Sequence, residues 1–591
     1  MAFNLLANLS RSSPSTSNSS PVDAEEGELD ESDIENGGEE EEEGSGDEYR
    51  SSNAVTSHRS RSRPRPRPTV QETEIDDTES VGDDGDEESR PTVLGWNDDL
   101  KPVEIEMFTE RVGPRTENFA LNHDSEPIQY FSLFFPDTLI ETIAEQTNLY
   151  ATQKKDLSFK PVTSQDIQTF LYINMMFGIH QVPAYTHYWS LNPLLRVSQV
   201  ADVMSRNRYQ DISKYFHIAD NKAMIPKGRD GYDPLFKIRP VLEAVKSASN
   251  SLFYPGAALS FDEAMIPFRG RLSFKQYIKG KPNPWGVKVW CVCDSATAFL
   301  LDFSFYTGKS DILMPNGLGY HVIWSLGQSY LRKHHHFYFD NFFSSVKLAQ
   351  DLLDYDTYSC STIRQNRKNW PADLKGNLDK GQYKMKQIGN LVACWWRDKR
   401  AISMLSTNAS PEMGTAQRRT KDGPVEKHIP ESVLVYNANM GGVDRHDQLR
   451  SYYPIGRKSH KWWRCCLWFL LEVAALNAYI LYQQMPRPPG APKPLDHFQF
   501  HLQIAKSLMK GSSRKRNYRE ATAVAGLAVE GTSVEHRRIR LAGRKKQCYM
   551  CKQKDVRTAS NKRPETVFGY SLCNTHLCDE LCFNQFHAKL N

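Results

Sequence analysis

Four aspartates stand in three short settings that can do chemistry: Asp262 in ALSFDEAMIPFRGR, Asp340 in HFYFDNFFSS, and Asp444 with Asp447 in MGGVDRHDQL. Each of the first two closes a run of alternating apolar residues, Leu259 and Phe261 before one, Phe337 and Phe339 before the other. A strand patterned this way delivers an acid to the C-terminal edge of a sheet. Gly441 and Gly442 precede Asp444, and Asp447 follows three residues later, so a helix starting there carries both acids on one face. Carboxylates gathered at one point repel each other and favour protonation; a divalent cation reverses that preference. Hard oxygen ligands suit Mg2+ or Mn2+, and two such ions roughly 4 Å apart activate an attacking oxygen and stabilise a leaving one in phosphodiester chemistry. Taken singly, an Asp at a strand end also serves as a turn former, and Asp444 as a helix N-cap.

The flanking residues change that balance, because the chain resembles the piggyBac family of DNA transposases over roughly residues 125–591. The resemblance is carried by FDEAMIPFRGR (261–271), KGKPNPWGVKVW (279–290), YFDNFFSS (338–345), TIRQNRKNWP (362–371), MGGVDRHDQ (440–448) and a cysteine-rich tail from Cys548. It implies that Asp262, Asp340 and Asp444 are catalytic and hold Mg2+ or Mn2+, with Asp447 a further catalytic acid beside them. It also implies a ribonuclease-H-like core and cut-and-paste transposition, with hydrolysis and strand transfer at the transposon's terminal inverted repeats and joining at TTAA targets. The implied partners are DNA and a second copy of the chain, in the nucleus. The alternative is a domesticated derivative that binds DNA or chromatin with little or no catalysis.

Several basic and aromatic residues bear on DNA. Arg364 and Arg367 follow a core strand and match basic residues that contact DNA near the active site in the family; Arg269 and Arg271, just after Asp262, are placed to meet phosphates. Phosphate contacts position a duplex without reading its sequence. Trp462 and Trp463 are candidates to stack on an unpaired base, with core packing beside an apolar helix as the alternative.

A second constellation lies at the end of the chain. Cys548 and Cys551 are followed by Cys573, His576, Cys578, Cys582 and His587, seven soft ligands in a segment too small to fold around an apolar core. They predict structural Zn2+, two ions in a cross-braced module resembling RING and PHD fingers, with the ligand pairing and an eighth ligand open. Binding transposon ends, recruiting a ubiquitin-conjugating enzyme and reading a histone tail are competing roles. Arg537, Arg538, Arg540, Arg544, Lys545 and Lys546 favour nucleic acid.

The rest of the chain must position these groups. It has 591 residues and eleven cysteines, five of them in the last 44 residues, which suits a reducing compartment with a metal module and not a disulfide framework. The net charge of +3 conceals a split: residues 1–99 hold 27 acidic and 8 basic residues, a net of −19, and the remainder holds 66 basic against 44 acidic, a net of +22. A basic body favours a polyanion. The apolar run Cys465–Leu481 contains Glu472 and Asn477 and reads as a buried core helix, not a membrane span; the opening MAFNLLANLS lacks the features of a secretory signal.

The expected architecture is therefore multidomain α+β. Residues 1–99 form a disordered acidic tail, and 125–257 a helical dimerisation and DNA-binding region completed by 452–510. The ribonuclease-H-like core comprises 258–367 with its last helix at 431–451, interrupted by an insertion domain over 368–430. A basic linker (511–546) leads to the zinc-binding domain at 547–591. Within the helical region, Thr163-Ser164-Gln165-Asp166 reads as a helix start.

Overall fold

The computed structural model describes residues 95–279, 281, 283–308, 314–420, 423–509, 538–540, 545–558, 560–570 and 575–587. The acidic tail up to residue 94, most of the basic linker, and Cys573 lie outside these residues.

A nine-stranded mixed sheet organises the molecule. Its strands are β1 (Ala258–Pro267), β2 (Gln276–Tyr277), β3 (Trp285–Asp294), β4 (Leu300–Phe305), β5 (His336–Phe339), β6 (Tyr358–Thr362), β7 (Tyr383–Ile388), β8 (Leu391–Arg397) and β9 (Ala401–Ser406). They run in the order β2-β3-β1-β5-β6-β9-β8-β7, with β4 also paired to β3. β1, β5 and β6 are mutually parallel, and every other pairing is antiparallel. Parallel neighbours need a crossover; the one between β5 and β6 is a helix over Val346–Asp354, capped by the Ser345 hydroxyl.

Two boundaries differ from the sequence reading. The strand carrying Asp262 does not end there but continues to Pro267, because Glu263 to Pro267 remain paired with β3. The span 368–430 is not a detached insertion. Its strands β7, β8 and β9 extend the central sheet, with Ser406, Leu405 and Met404 paired to Cys360, Ser361 and Thr362 of β6. An unpaired β6 edge would leave a row of buried backbone groups without partners, and β9 supplies them. Only the hairpin of β10 (Met413–Thr420) and β11 (Gly423–Pro430) forms a sheet of its own within that span.

The α-helices of five or more residues are α1 (Pro127–Phe134), α2 (Asp137–Gln153), α3 (Ser164–Ile179), α4 (Arg206–Tyr215), α5 (Arg239–Ser251), α6 (Gly317–Gly327), α7 (Val346–Asp354), α8 (Glu431–Asn439), α9 (Gly442–Ser451), α10 (Trp462–Gln484) and α11 (His497–Met509), with two short ones, α12 (Tyr549–Gln553) and α13 (Glu580–His587), near the end. The predicted start of α3 is a capping box: the Thr163 side chain accepts from the Asp166 N–H, and the Asp166 carboxylate accepts from the Thr163 N–H. The helical region is continuous with the sheet. One apolar cluster runs from Tyr130 and Phe170 through Leu467 and Leu476 to Phe299 and Phe303.

Helix α10 is long and apolar enough to cross a membrane, with mean hydropathy 1.7, and is mostly buried within the fold. The two polar side chains within its apolar run, Glu472 and Asn477, are paired. Asn477 accepts from the Leu300 N–H (3.0 Å) and donates to the Leu300 carbonyl (2.8 Å) and the Ser249 hydroxyl (3.1 Å), so the helix, α5 and β4 are joined at one buried amide.

Candidate active site

The parallel pairing of β1 with β5 ends at Phe261 opposite Phe339, and the next residues on the two chains are Asp262 and Asp340. The two acids therefore lie side by side just past the parallel pairing, Asp262 within β1 and Asp340 directly after β5. Asp262 Oδ1 accepts from the Glu263 N–H (2.8 Å), and Asp340 Oδ1 from the Phe342 N–H (3.0 Å), which folds the turn after β5 back on its acid. Burial, then Glu263 and Asp340, push the Asp262 carboxyl well above the usual range. Burial and Glu263 raise Asp340 likewise, opposed by the Phe342 N–H, Lys288 and Arg364. Proximity of like charge and loss of water both penalise the ionised forms.

Glu263 and Lys288 belong to this site, although the sequence reading did not single them out. Lys288 Nζ lies 3.7 Å from Glu263 and over the rings of Trp290 (4.0 Å) and Phe342 (4.9 Å). Burial lowers its pKa, opposed by Glu263, Asp340 and Asp262. The available signal was a single lysine in the otherwise apolar strand WGVKVW. Lys281 approaches Glu263 at 3.9 Å from the preceding loop. The phenol of Tyr436 on α8 is raised by burial, then by Asp340, with Asp262 contributing.

Of the predicted arginines, Arg364 and Arg367 are half-buried around the Asp340 turn. Arg364 Nε donates to Asn341 Oδ1 (3.2 Å), and Arg367 Nη2 donates to the carbonyls of Asn341 (3.2 Å) and Phe342 (2.8 Å). They brace the loop that aims Asp340. Arg269 and Arg271 are exposed beyond the end of β1. Trp463 is a correction: its ring is 2 % exposed and stacks on Phe216, so it is part of the core and cannot take up a base without leaving it. Trp462 is half-buried, edge-on to Phe274. The apolar pattern of α10 begins at this pair, which is why the second ring turns inward.

Helix α9 supplies the other two acids. Gly441 is its N-cap and Asp444 its third residue, so the N-cap reading of Asp444 does not hold. The second of the paired glycines has a packing reason: a Cβ on Gly442 would fall 2.1 Å from Ser260 Oγ, two residues before Asp262. Glycine lets the helix start lie directly on β1. Arg445 Nη2 donates to the Ser295 carbonyl (2.8 Å), and His446 Nδ1 lies 3.0 Å from the Ala298 carbonyl, pinning α9 on the β3–β4 turn. Asp444 is exposed, while Asp447 is half-buried and ion-paired with Arg450. Among the described residues, the only group of three or more His, Cys, Asp or Glu ligand atoms within 4.8 Å of one another is a cysteine cluster near the end of the chain. The acids thus share one sheet region without forming a closed ligand shell.

That cluster consists of Cys548, Cys551, Cys578 and Cys582. Sulfur separations of 3.6 Å (Cys551–Cys578), 3.7 Å (Cys551–Cys582) and 3.4 Å (Cys578–Cys582) fit a tetrahedral zinc, for which Zn–S bonds of 2.3 Å give about 3.8 Å between sulfurs. The Cys578 N–H points at Cys548 Sγ (3.4 Å). His576 is outside the four-thiol group, and Cys573 is outside the described residues.

A mixed α+β fold that places two acids where the parallel pairing of adjacent strands stops defines a class, and comparison with known proteins gives it a name. A family model described as Transposase IS4 matches residues 126–479. The fold is similar to that of the piggyBac transposase in a cryo-EM synaptic complex with hairpin DNA, with a TM-score of 0.61 and 25 % identity, over 72 % of this chain and 90 % of that one. The chain belongs to the piggyBac family of transposases. Its relatives include the human PiggyBac transposable element-derived protein 3, 28 % identical over 423 residues, 66 % of this chain and 68 % of the relative. The human PiggyBac transposable element-derived protein 2 is 29 % identical over 391 residues, 61 % of this chain and 62 % of the relative.

Proposed function

We propose that this protein is a cut-and-paste DNA transposase with a ribonuclease-H-like core, acting in the nucleus on the inverted repeats of its own element and joining excised ends to TTAA sites. The observation that supports this most directly is that Asp262 and Asp340 lie side by side just past the point where the parallel pairing of β1 and β5 stops. Both acids are half-buried, and both carboxyls are raised by loss of water and neighbouring charge; such a donor set fits hard divalent cations, which relieve the repulsion that raises them. Asp262, Asp340 and Asp444 would hold Mg2+ or Mn2+. The ions, when bound, supply charge neutralisation to a phosphodiester and activate the attacking oxygen.

The protein's own groups do the positioning. Arg364 and Arg367 hold the Asp340 turn and present cationic surface beside it, Arg269 and Arg271 extend that surface, and Lys288 offsets part of the negative charge of the half-buried Glu263–Asp262–Asp340 group. A zinc-holding C-terminal module reads the transposon ends, and two copies of the chain pair them. Strand cleavage of a duplex carrying the element's own terminal repeats, with Mn2+, tests this reading. Nicking by the natural chain and none by Asp340→Asn, with DNA retention equal in both, is the expected result. A chain that retains end DNA but never cuts it is instead a domesticated binder.

A further inference from the structure

Helix α9 is held at its far end by a buried charge relay that the acids' expected metal role does not explain. Arg450, in the last turn of α9, donates from Nη2 to Asp447 Oδ1 (3.1 Å) and from Nη1 to Glu472 Oε2 on α10, and its guanidinium lies 4.6 Å from the centre of the Phe469 ring. The side chains of Arg450 and Glu472 are 12 % and 11 % exposed, so both charges have been taken out of water. Glu472 Oε1 also accepts from the Ile455 N–H (3.0 Å), and the next residue, Gly456, donates to the Asn174 carbonyl of α3 (2.9 Å). One carboxylate on the long core helix therefore ties down both the end of α9 and the turn that follows it.

From this geometry we infer that Asp447, Arg450 and Glu472 form a positioning latch that sets the rotation and depth of α9, and hence the place of Asp444, and that Asp447 is not itself a metal ligand. The inference rests on the proposed metal role of Asp444. A guanidinium 3.1 Å from Asp447 repels a divalent ion at the same carboxylate. Residues of an α-helix are about 100° apart around its axis, so a small rotation of α9 swings Asp444 away from Asp262 and Asp340. The contact of Gly442 with Ser260 limits how closely the helix start approaches β1, while the latch fixes the opposite end.

The latch and a ligand role diverge under conservative substitution, because Asn at 447 keeps an acceptor oxygen for Arg450 and loses the charge a metal needs. In the full chain, Asp447→Asn is expected to keep cleavage within about tenfold of the natural protein, roughly the effect of weakening one positioning hydrogen bond. Its Mn2+ concentration for half-maximal cleavage stays the same, whereas Asp444→Asn cuts nothing. Loss of cleavage in Asp447→Asn equal to that in Asp444→Asn, or a Mn2+ requirement raised about tenfold, overturns the inference. Glu472→Ala strands a buried arginine and is liable to unfold the chain. The double variant Arg450→Met/Glu472→Leu removes both charges and keeps the apolar volume. It is expected to melt like the natural protein, exchange its 442–451 amides faster, and cleave at least tenfold more slowly. Natural exchange rates over 442–451 in that variant overturn the latch. Amide exchange is readable even if the natural chain cleaves nothing, so failure of the proposed function and failure of the latch remain separate results.

Discussion

At Asp262 and Asp340 the fold keeps two acids where loss of water and like charge both disfavour ionisation. A carboxyl whose pKa in the fold lies above its unfolded value, about 4, costs nothing while protonated in both states. Its cost grows as pH rises through that range and is complete above the folded value. Asp340→Asn should therefore abolish cleavage yet raise the melting temperature at pH 7 in chelated buffer. The gain is on the order of 1 kcal/mol, roughly 2–4 °C in a large domain, and fades as the pH falls toward 4. Mn2+ should raise the melting temperature of the natural chain and not of the variant, since a ligand stabilises only the form that binds it. Thermal melts across pH with and without Mn2+ read both effects, and a variant that melts lower at every pH would refute the charge-cost account.

Between elements, one tight constraint is the contact of α9 with β1. Gly442→Ala drives a methyl into Ser260 Oγ, so α9 must lift or β1 must bend, at about 1–3 kcal/mol for overpacking. The expected result is a lower melting temperature and slower cleavage with every acid intact. Adding Ser260→Gly opens the space and should return much of both; no recovery in the double variant would show that the glycine serves something other than this packing. The four-thiol cluster sets a second test at this scale. Cys551→Ser and Cys582→Ser should each remove the same single zinc equivalent, measured by metal analysis of the purified chain, and the double variant should remove no more than either alone. Additive losses would place the two thiols in different sites.

For the molecule as a whole, the charge split sets the expectation. A segment with a net of −19 tethered to a body with a net of +22 stays at high effective concentration and competes with DNA for the same cations. Removing residues 1–94, which hold 25 of these acidic residues and all 8 of the basic ones, should strengthen binding to a non-specific duplex. The gain should be largest at low salt and shrink near physiological ionic strength, where the Debye length is about 8 Å. Equal affinities of full-length and shortened protein at every salt concentration would leave the acidic segment only a role in solubility.

Much of this was legible one residue at a time. The period-2 runs before Asp262 and Asp340, the capping box at Thr163 and the thiol spacing after Cys548 are local signals, because the strand pleat, the orphan N–H groups of a helix start and the tetrahedral reach of zinc act over a few residues. The polar pair in the apolar run of α10 also announced a buried helix in the sequence, since Glu472 and Asn477 would be costly in lipid. What the sequence could not decide were the pairings between distant segments. Whether Tyr383–Ser406 forms its own domain or extends the sheet depends on which backbone edge is left open at β6, residues 358–362. Whether Trp463 faces a base or Phe216 depends on how α10 rotates against its neighbours. That Asp447 answers to Arg450 and Glu472 depends on a contact across the turn between α9 and α10. Hydrogen-bond edges, helix rotation and buried charge pairs are satisfied by whichever partner packing brings near, so they are settled only when the whole chain is in place.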